Sequence, residues 1–142
     1  VMRSPSFVLS LTTFILLTAS QWAEAQANRL FVAHYNVENL FDTLNDPNIQ
    51  DEEFLPAGAN QWTAERYTHK IQQLSKVIRS MNANKGPHLL GVCEVENAAV
   101  VADLTQKIST KKVKYRFVHH DSPDGRGIDV ALLYQPKSFK VT

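Results

Sequence analysis

The sequence predicts an α/β domain, and three observations carry that expectation. A β-rich segment, RLFVAHYN (Arg29 to Asn36), comes first. An apolar stripe at Tyr67, Ile71, Leu74, Val77, Ile78 and Met81 repeats at the three-and-four spacing of a helix. A nearly unbroken apolar run, HLLGVCEV (His88 to Val95), follows a Gly-Pro stop and reads as a strand buried on both faces. Strand, helix and strand at these lengths make a βαβ crossover, whose strands are parallel and whose hand is right in almost all cases.

Each element has its own signals. Thr63 caps the first helix, and Glu65 sits in its first turn, where the helix dipole favours negative charge. NKGP (Asn84 to Pro87) ends it. NAAVVADLTQKIST is a second, shorter helix. YRFVHH (Tyr115 to His120) and IDVALLY (Ile128 to Tyr134) are two more strands around the turn-rich DSPDGRG, and FKVT (Phe139 to Thr142) opens a fifth. Between the first strand and the first helix lie about 26 residues of acidic and turn-forming sequence. A loop of that length in a compact domain is usually functional.

The totals are those of a globular chain: 142 residues, 44% hydrophobic and 20% charged. The net charge of +1 provides no strong field for nucleic acid or membrane. Charge is unevenly spread, however. Residues 28–65 hold seven acids against Arg29 alone, and residues 66–116 hold ten Lys/Arg against three acids. Solvated faces explain this, as does a basic flank beside an acidic, cation-binding mouth. The single cysteine, Cys93, rules out an intrachain disulfide and reads as a small buried hydrophobe. Residues 1–27 read as a signal peptide: Arg3, an apolar core from Phe7 to Ala19, then small-x-small cleavage sites in AEAQA. The expected location is therefore exported, periplasmic or extracellular, with no stable membrane span after cleavage.

Candidate chemistry lies at the strand ends. In open α/β sheets ligands sit beyond the carboxyl ends of the strands. Asn36 ends the first strand and Glu94 ends the second, so parallel pairing brings a carboxamide and a carboxylate to one edge. These are hard oxygen ligands of the kind Mg²⁺ prefers, with positions left over for water and phosphate. Glu94 lies inside the apolar run, whereas Glu96 adjoins the next helix. Burial therefore predicts Glu94 as the ligand and Glu96 as a rim residue. A salt bridge to a lysine or arginine is the competing reading of Glu94. Arg126, among glycines, suits a phosphate, although PDG also makes a simple turn. Asp129 alternates with apolar residues and faces either the site or solvent. His119 and His120 are candidates for proton transfer or ordinary strand-end polar residues.

FVAHYNVENLFD, GVCEVEN and DSPDGRGIDVALLY together resemble the endonuclease/exonuclease/phosphatase superfamily, in its secreted bacterial endonuclease-like form. The resemblance covers Leu30 to Thr142. It implies a four-layered α/β sandwich of two mixed sheets, of which residues 28–142 form the N-terminal half. It implies a Mg²⁺- or Mn²⁺-dependent phosphodiesterase, most simply an endonuclease with DNA or RNA as partner. Asn36 matches the asparagine that orients the metal or its water, and Glu94 the metal-binding glutamate. Arg126 and Asp129 fall where phosphate-contacting residues lie. The catalytic histidine and the later Asp/Asn and Asp/His pairs have no counterpart, so the fragment is expected to be inactive alone and to expose an apolar sheet face. Alternatives are a phosphomonoesterase, a phospholipid head-group hydrolase acting on a phosphorylated small molecule or lipid, and a secreted non-catalytic binding module.

Overall fold

The structure, a computed structural model, describes residues 29–142. The signal-peptide reading falls outside them. Residues 31–142 form one compact unit. Its elements are β1 (Val32–Leu40), α1 (Ala64–Asn84), β2 (Leu89–Val95), α2 (Ala98–Ile108), β3 (Arg116–His120) and β4 (Asp129–Tyr134), with a 3₁₀ turn at Glu52–Phe54. The strands make one mixed sheet in the order β1-β2-β4-β3. β1 and β2 are parallel, as the crossover predicts, and β4 runs antiparallel to both β2 and β3. The fold is thus α+β with a single four-stranded sheet and two helices. No helix among the described residues is long and apolar enough to cross a membrane.

Both helices bury their stripes against one face of the sheet. Ile71, Leu74 and Ile78 from α1 and Val100, Val101, Leu104 and Ile108 from α2 join Leu90, Val92, Val95, Ala131 and Leu133 in the core. At about 1.5–3 kcal/mol for each fully buried aliphatic side chain, this one face dominates the hydrophobic stabilisation. Val77, expected in the stripe, is exposed, because the buried arc is narrower than the apolar pattern. Thr63 caps α1 by accepting from Arg66 N–H at 3.4 Å, and Asn97 caps α2 by accepting from Ala99 and Val100. The end of α1 leaves helical geometry at Met81, and Asn82 to Asn84 have positive φ. Gly86, at φ +69°, completes the turn; a Cβ there would lie 2.3 Å from the Tyr115 hydroxyl. That hydroxyl donates to Pro87 O at 2.7 Å and ties the turn to the start of β3.

The opposite face is open. Val32, Val118, Val130 and Leu132 are exposed along it. Cys93 is half-buried on this side rather than sealed in the core; burial first and Glu94 second push its thiol pKa up. The segment from Phe139 to Thr142 forms no strand. It lines a cleft over this open face with His34, Val118, His120 and Leu132 instead of pairing with a sheet edge.

Candidate metal centre

An irregularity in β2 creates the site. Cys93 pairs with Val130 and Val95 with Asp129, so Glu94 is an extra residue in the ladder. Its φ of +62° is left-handed. Without this bulge Val95 would face the open side; with it, Val95 is fully buried in the core. β1 bulges beside it. Asn36 pairs with Cys93 and Leu40 with Val95, and between them Glu38 and Asn39 have φ of +55° and +58°. A left-handed conformation costs a residue with a Cβ about 1–2 kcal/mol. Asparagine tolerates it and glutamate has no means to, so strain is concentrated at Glu38 and Glu94.

Hydrogen bonds fix the result. Asn36 Nδ2 donates to Glu94 Oε1 at 2.8 Å, and Asn39 N–H donates to Glu94 Oε2 at 3.2 Å. Glu38 N–H donates to Asn36 Oδ1 at 2.7 Å. Asn36 and Glu94 therefore meet at one edge, with the carboxamide gripping the carboxylate. Below them, Lys70 Nζ donates to the carbonyls of Glu38 and Asn39 and lies 5.5 Å from the centre of the Trp62 ring. Burial lowers the Lys70 pKa, while the charges of Glu38 and Glu94 act in the other direction. The ammonium thus sits under the strained elbow and secures both of its carbonyls.

The burial expected of the two glutamates is reversed. Glu94 is only partly buried, and Glu96 is 5% exposed. The physical reason is the bulge, which turns Glu94 out of the ladder and carries the chain inward at Glu96. Burial drives the Glu96 pKa up to about 7, against the lowering effect of the Asp42 N–H that it accepts at 2.6 Å. Asp42, Asp51 and Asp46 add like charge.

The 121–128 loop arrives from the other side. Gln50 N–H donates to Gly125 O at 3.1 Å, and Gly127, at φ +69°, lies against Ile49 so closely that a Cβ would meet it at 2.3 Å. Arg126 is exposed and held by Asp124, Nε at 3.1 Å and NH2 at 2.7 Å. That grip lowers the Asp124 pKa to about 2, and Glu94 lies within electrostatic range of the guanidinium. Asp129 sits elsewhere. It is buried on the helix side, accepting from Ser122 N–H at 2.7 Å and lying 2.9 Å from His119 Nε2. It therefore faces neither solvent nor the Asn36–Glu94 pair, because the alternation in β4 puts residues 129, 131 and 133 on the core side. His119 Nδ1 also lies 3.4 Å from Asp121. His120 shares a row with Asn36, Cys93 and Val130 on the open face, three strands away, or about 14 Å at the usual strand spacing.

A family model described as the Endonuclease/Exonuclease/phosphatase family matches residues 31–142. The chain belongs to this family. Members of the endonuclease/exonuclease/phosphatase family are hydrolases of phosphoester bonds that generally depend on a divalent metal, which places this chain among metal-dependent phosphoester hydrolases. No curated protein and no solved structure matches it significantly.

The donor set suits such a metal. A carboxylate offers about four lone-pair positions, and Glu94 uses two of them on Asn36 and Asn39, leaving positions for a cation at the rim. His119, Asp121 and Asp129 also bring one ligand atom each within 4.8 Å of one another, the only such trio among the described residues. Sequence reasoning missed Asn39, Lys70 and Trp62. Lys70 carried a faint signal, being a lysine one residue from the buried Ile71 and so close to the core edge of α1.

Proposed function

We propose that the protein is a divalent-cation-dependent phosphodiesterase acting on nucleic acid, exported from the cell. The observation that carries this is the Asn36–Glu94 pair: a carboxylate turned out of β2 by a left-handed bulge, with each oxygen already held by a nitrogen donor. Glu94 would hold the cation, Mg²⁺ or Mn²⁺, which supplies charge neutralisation to the phosphate oxygens when bound. Asn36 and Asn39 keep the carboxylate in one orientation, so little reorganisation accompanies binding. Lys70 holds the backbone from which Asn39 N–H projects. Arg126, exposed and near Glu94, exchanges Asp124 for a substrate phosphate with the same two-pronged geometry. Asp129 supports this loop from below through Ser122 rather than touching substrate. The open apolar face is the surface that a second sheet covers in a four-layered sandwich.

Plasmid cleavage with Mg²⁺ by the full-length protein tests this. Glu94→Ala is expected to lower the rate by about 100-fold or more, since even indirect supports of metal sites are worth 10–100-fold. Equal rates in the two proteins reject the role of Glu94. The same assay with RNA, sphingomyelin and inositol phosphates decides the substrate class. Turnover of lipid or inositol phosphate without DNA or RNA cleavage replaces the nucleic-acid assignment.

A further inference from the structure

His119 stands between two carboxylates. Its Nε2 lies 2.9 Å from Asp129 Oδ2, and its Nδ1 lies 3.4 Å from Asp121 Oδ1. Asp129 is 6% exposed and is held a second time by Ser122 N–H at 2.7 Å. Asp121 is its opposite, with 89% of its side chain open to solvent. Among the described residues neither aspartate pairs with a lysine or arginine.

A neutral imidazole carries one N–H and one lone pair. The short contact to Asp129 takes the N–H, because a buried carboxylate left without donors is costly. The Nδ1 lone pair then faces the Asp121 carboxylate, acceptor against acceptor. A cation between them removes that repulsion, and the gap has the width for one. Metal–ligand bonds of about 2.0–2.2 Å set two ligands of a tetrahedral ion about 3.3–3.6 Å apart. Nδ1 and Oδ1 are separated by that much, whereas the contact to Asp129 is too short to admit an ion. Metal-binding histidines almost always donate their other ring N–H to a carboxylate, which fixes the tautomer and raises the basicity of the ligating nitrogen. Asp129 does this from the buried side.

We propose that His119 Nδ1 and Asp121 bind a divalent transition-metal ion of the Zn²⁺ type, with Asp129 as the positioning carboxylate behind the ring. The three residues bring one ligand atom each within 4.8 Å of one another, the one such convergence of histidine, cysteine and acidic side chains among the described residues. Imidazole suits Zn²⁺, whereas Mg²⁺ prefers oxygen, so the site differs in kind from the one at Glu94. It differs in place too. β3 stands two strands from β2, about 10 Å at the usual spacing. Water completes the shell on the exposed side, next to Asp121. The ion clamps the end of β3 to the start of the 121–128 loop. Ser122 carries that order onward, donating from Oγ to Ile128 O and accepting from Asp124 N–H, in the loop that presents Arg126.

Calorimetric titration of the full-length Glu94→Gln protein with Zn²⁺ tests this. It is run at about pH 8, well above the ordinary histidine value, so that protons do not compete. One Zn²⁺ sensitive to Asp121 is expected to bind, together with a rise in Tm. Asp121→Asn, at an exposed position that folding does not depend on, is expected to weaken that binding by at least about tenfold. His119→Gln is expected to do the same. In the ¹⁵N spectrum of the His119 ring, Zn²⁺ is expected to move Nδ1 and to leave Nε2 protonated. Absence of Zn²⁺ binding overturns the proposal, as does unchanged affinity in Asp121→Asn; coordination through Nε2 overturns the role of Asp129. Because Glu94 is already replaced and no cleavage is measured, failure here is distinct from failure of the phosphodiesterase reading, which plasmid cleavage with Mg²⁺ decides.

Discussion

Glu94 and Glu96 lie two residues apart and occupy opposite surroundings. Glu94 stands at the rim, strained in its backbone but with both oxygens held by nitrogen donors. Glu96 has a nitrogen donor on Oε2 but is buried among aspartates. One site is pre-organised and open to water; the other gathers like charge away from it. The contrast separates two uses of a carboxylate. A ligand that must exchange water and phosphate belongs at the surface, oriented in advance. A carboxylate kept among like charges and away from water holds its proton up to about pH 7.

The largest expected effect concerns Glu96 and pH. Its carboxyl titrates near 7 in the fold against an ordinary value of 4.5. A raised carboxyl favours the folded state while protonated. Its contribution is therefore complete below the ordinary value and is lost as pH rises through about 7. In chelator, urea denaturation is expected to show stability falling across that window by at most about 3 kcal/mol. Glu96→Gln is expected to flatten the fall. Parallel curves for the two proteins would mean that Glu96 ionises without penalty, and the contrast with Glu94 would disappear.

Next comes Lys70. Its ammonium reaches the metal pair only through the Glu38 and Asn39 carbonyls. Lys70→Met is expected to weaken Mg²⁺ binding at Glu94 by about 10–100-fold, with Lys70→Arg recovering part of it, by calorimetric titration of the full-length protein. Unchanged affinity would reduce Lys70 to a packing partner of Trp62.

The smallest effect isolates the strain itself. At an ordinary strand position glycine is less stable than alanine, but at φ +62° the order inverts. Glu94→Gly is expected to be more stable than Glu94→Ala by about 1 kcal/mol, while both lose the metal. The reverse order would show that the bulge is not left-handed in solution.

Much of this was legible in residue pattern. The periodicity of α1, the capping by Thr63 and the apolar run of β2 each placed an element within a few residues of its observed bounds. The meeting of Asn36 and Glu94 followed from parallel pairing. The bulge was not legible, because glutamate has no left-handed preference and HLLGVCEV reads the same with or without an extra residue. From that one omission came the reversed burial of Glu94 and Glu96. The burial of Asp129 was hidden for a different reason: alternation in IDVALLY shows that one face differs from the other, not which face meets the helices. FKVT has strand composition, yet it lies over the open face rather than along either edge of the sheet.

Asn36 and Glu94 are 58 positions apart along the chain, and β1, α1 and β2 must all be in register before they touch. Closing so long a loop is a late event in folding. The unfolded polypeptide therefore carries no ready-made cation trap. On the proposed function, cation capture rewards the completed crossover and nothing earlier, so the rate at which a divalent cation is taken up after dilution from denaturant is expected to report the assembly of the sheet.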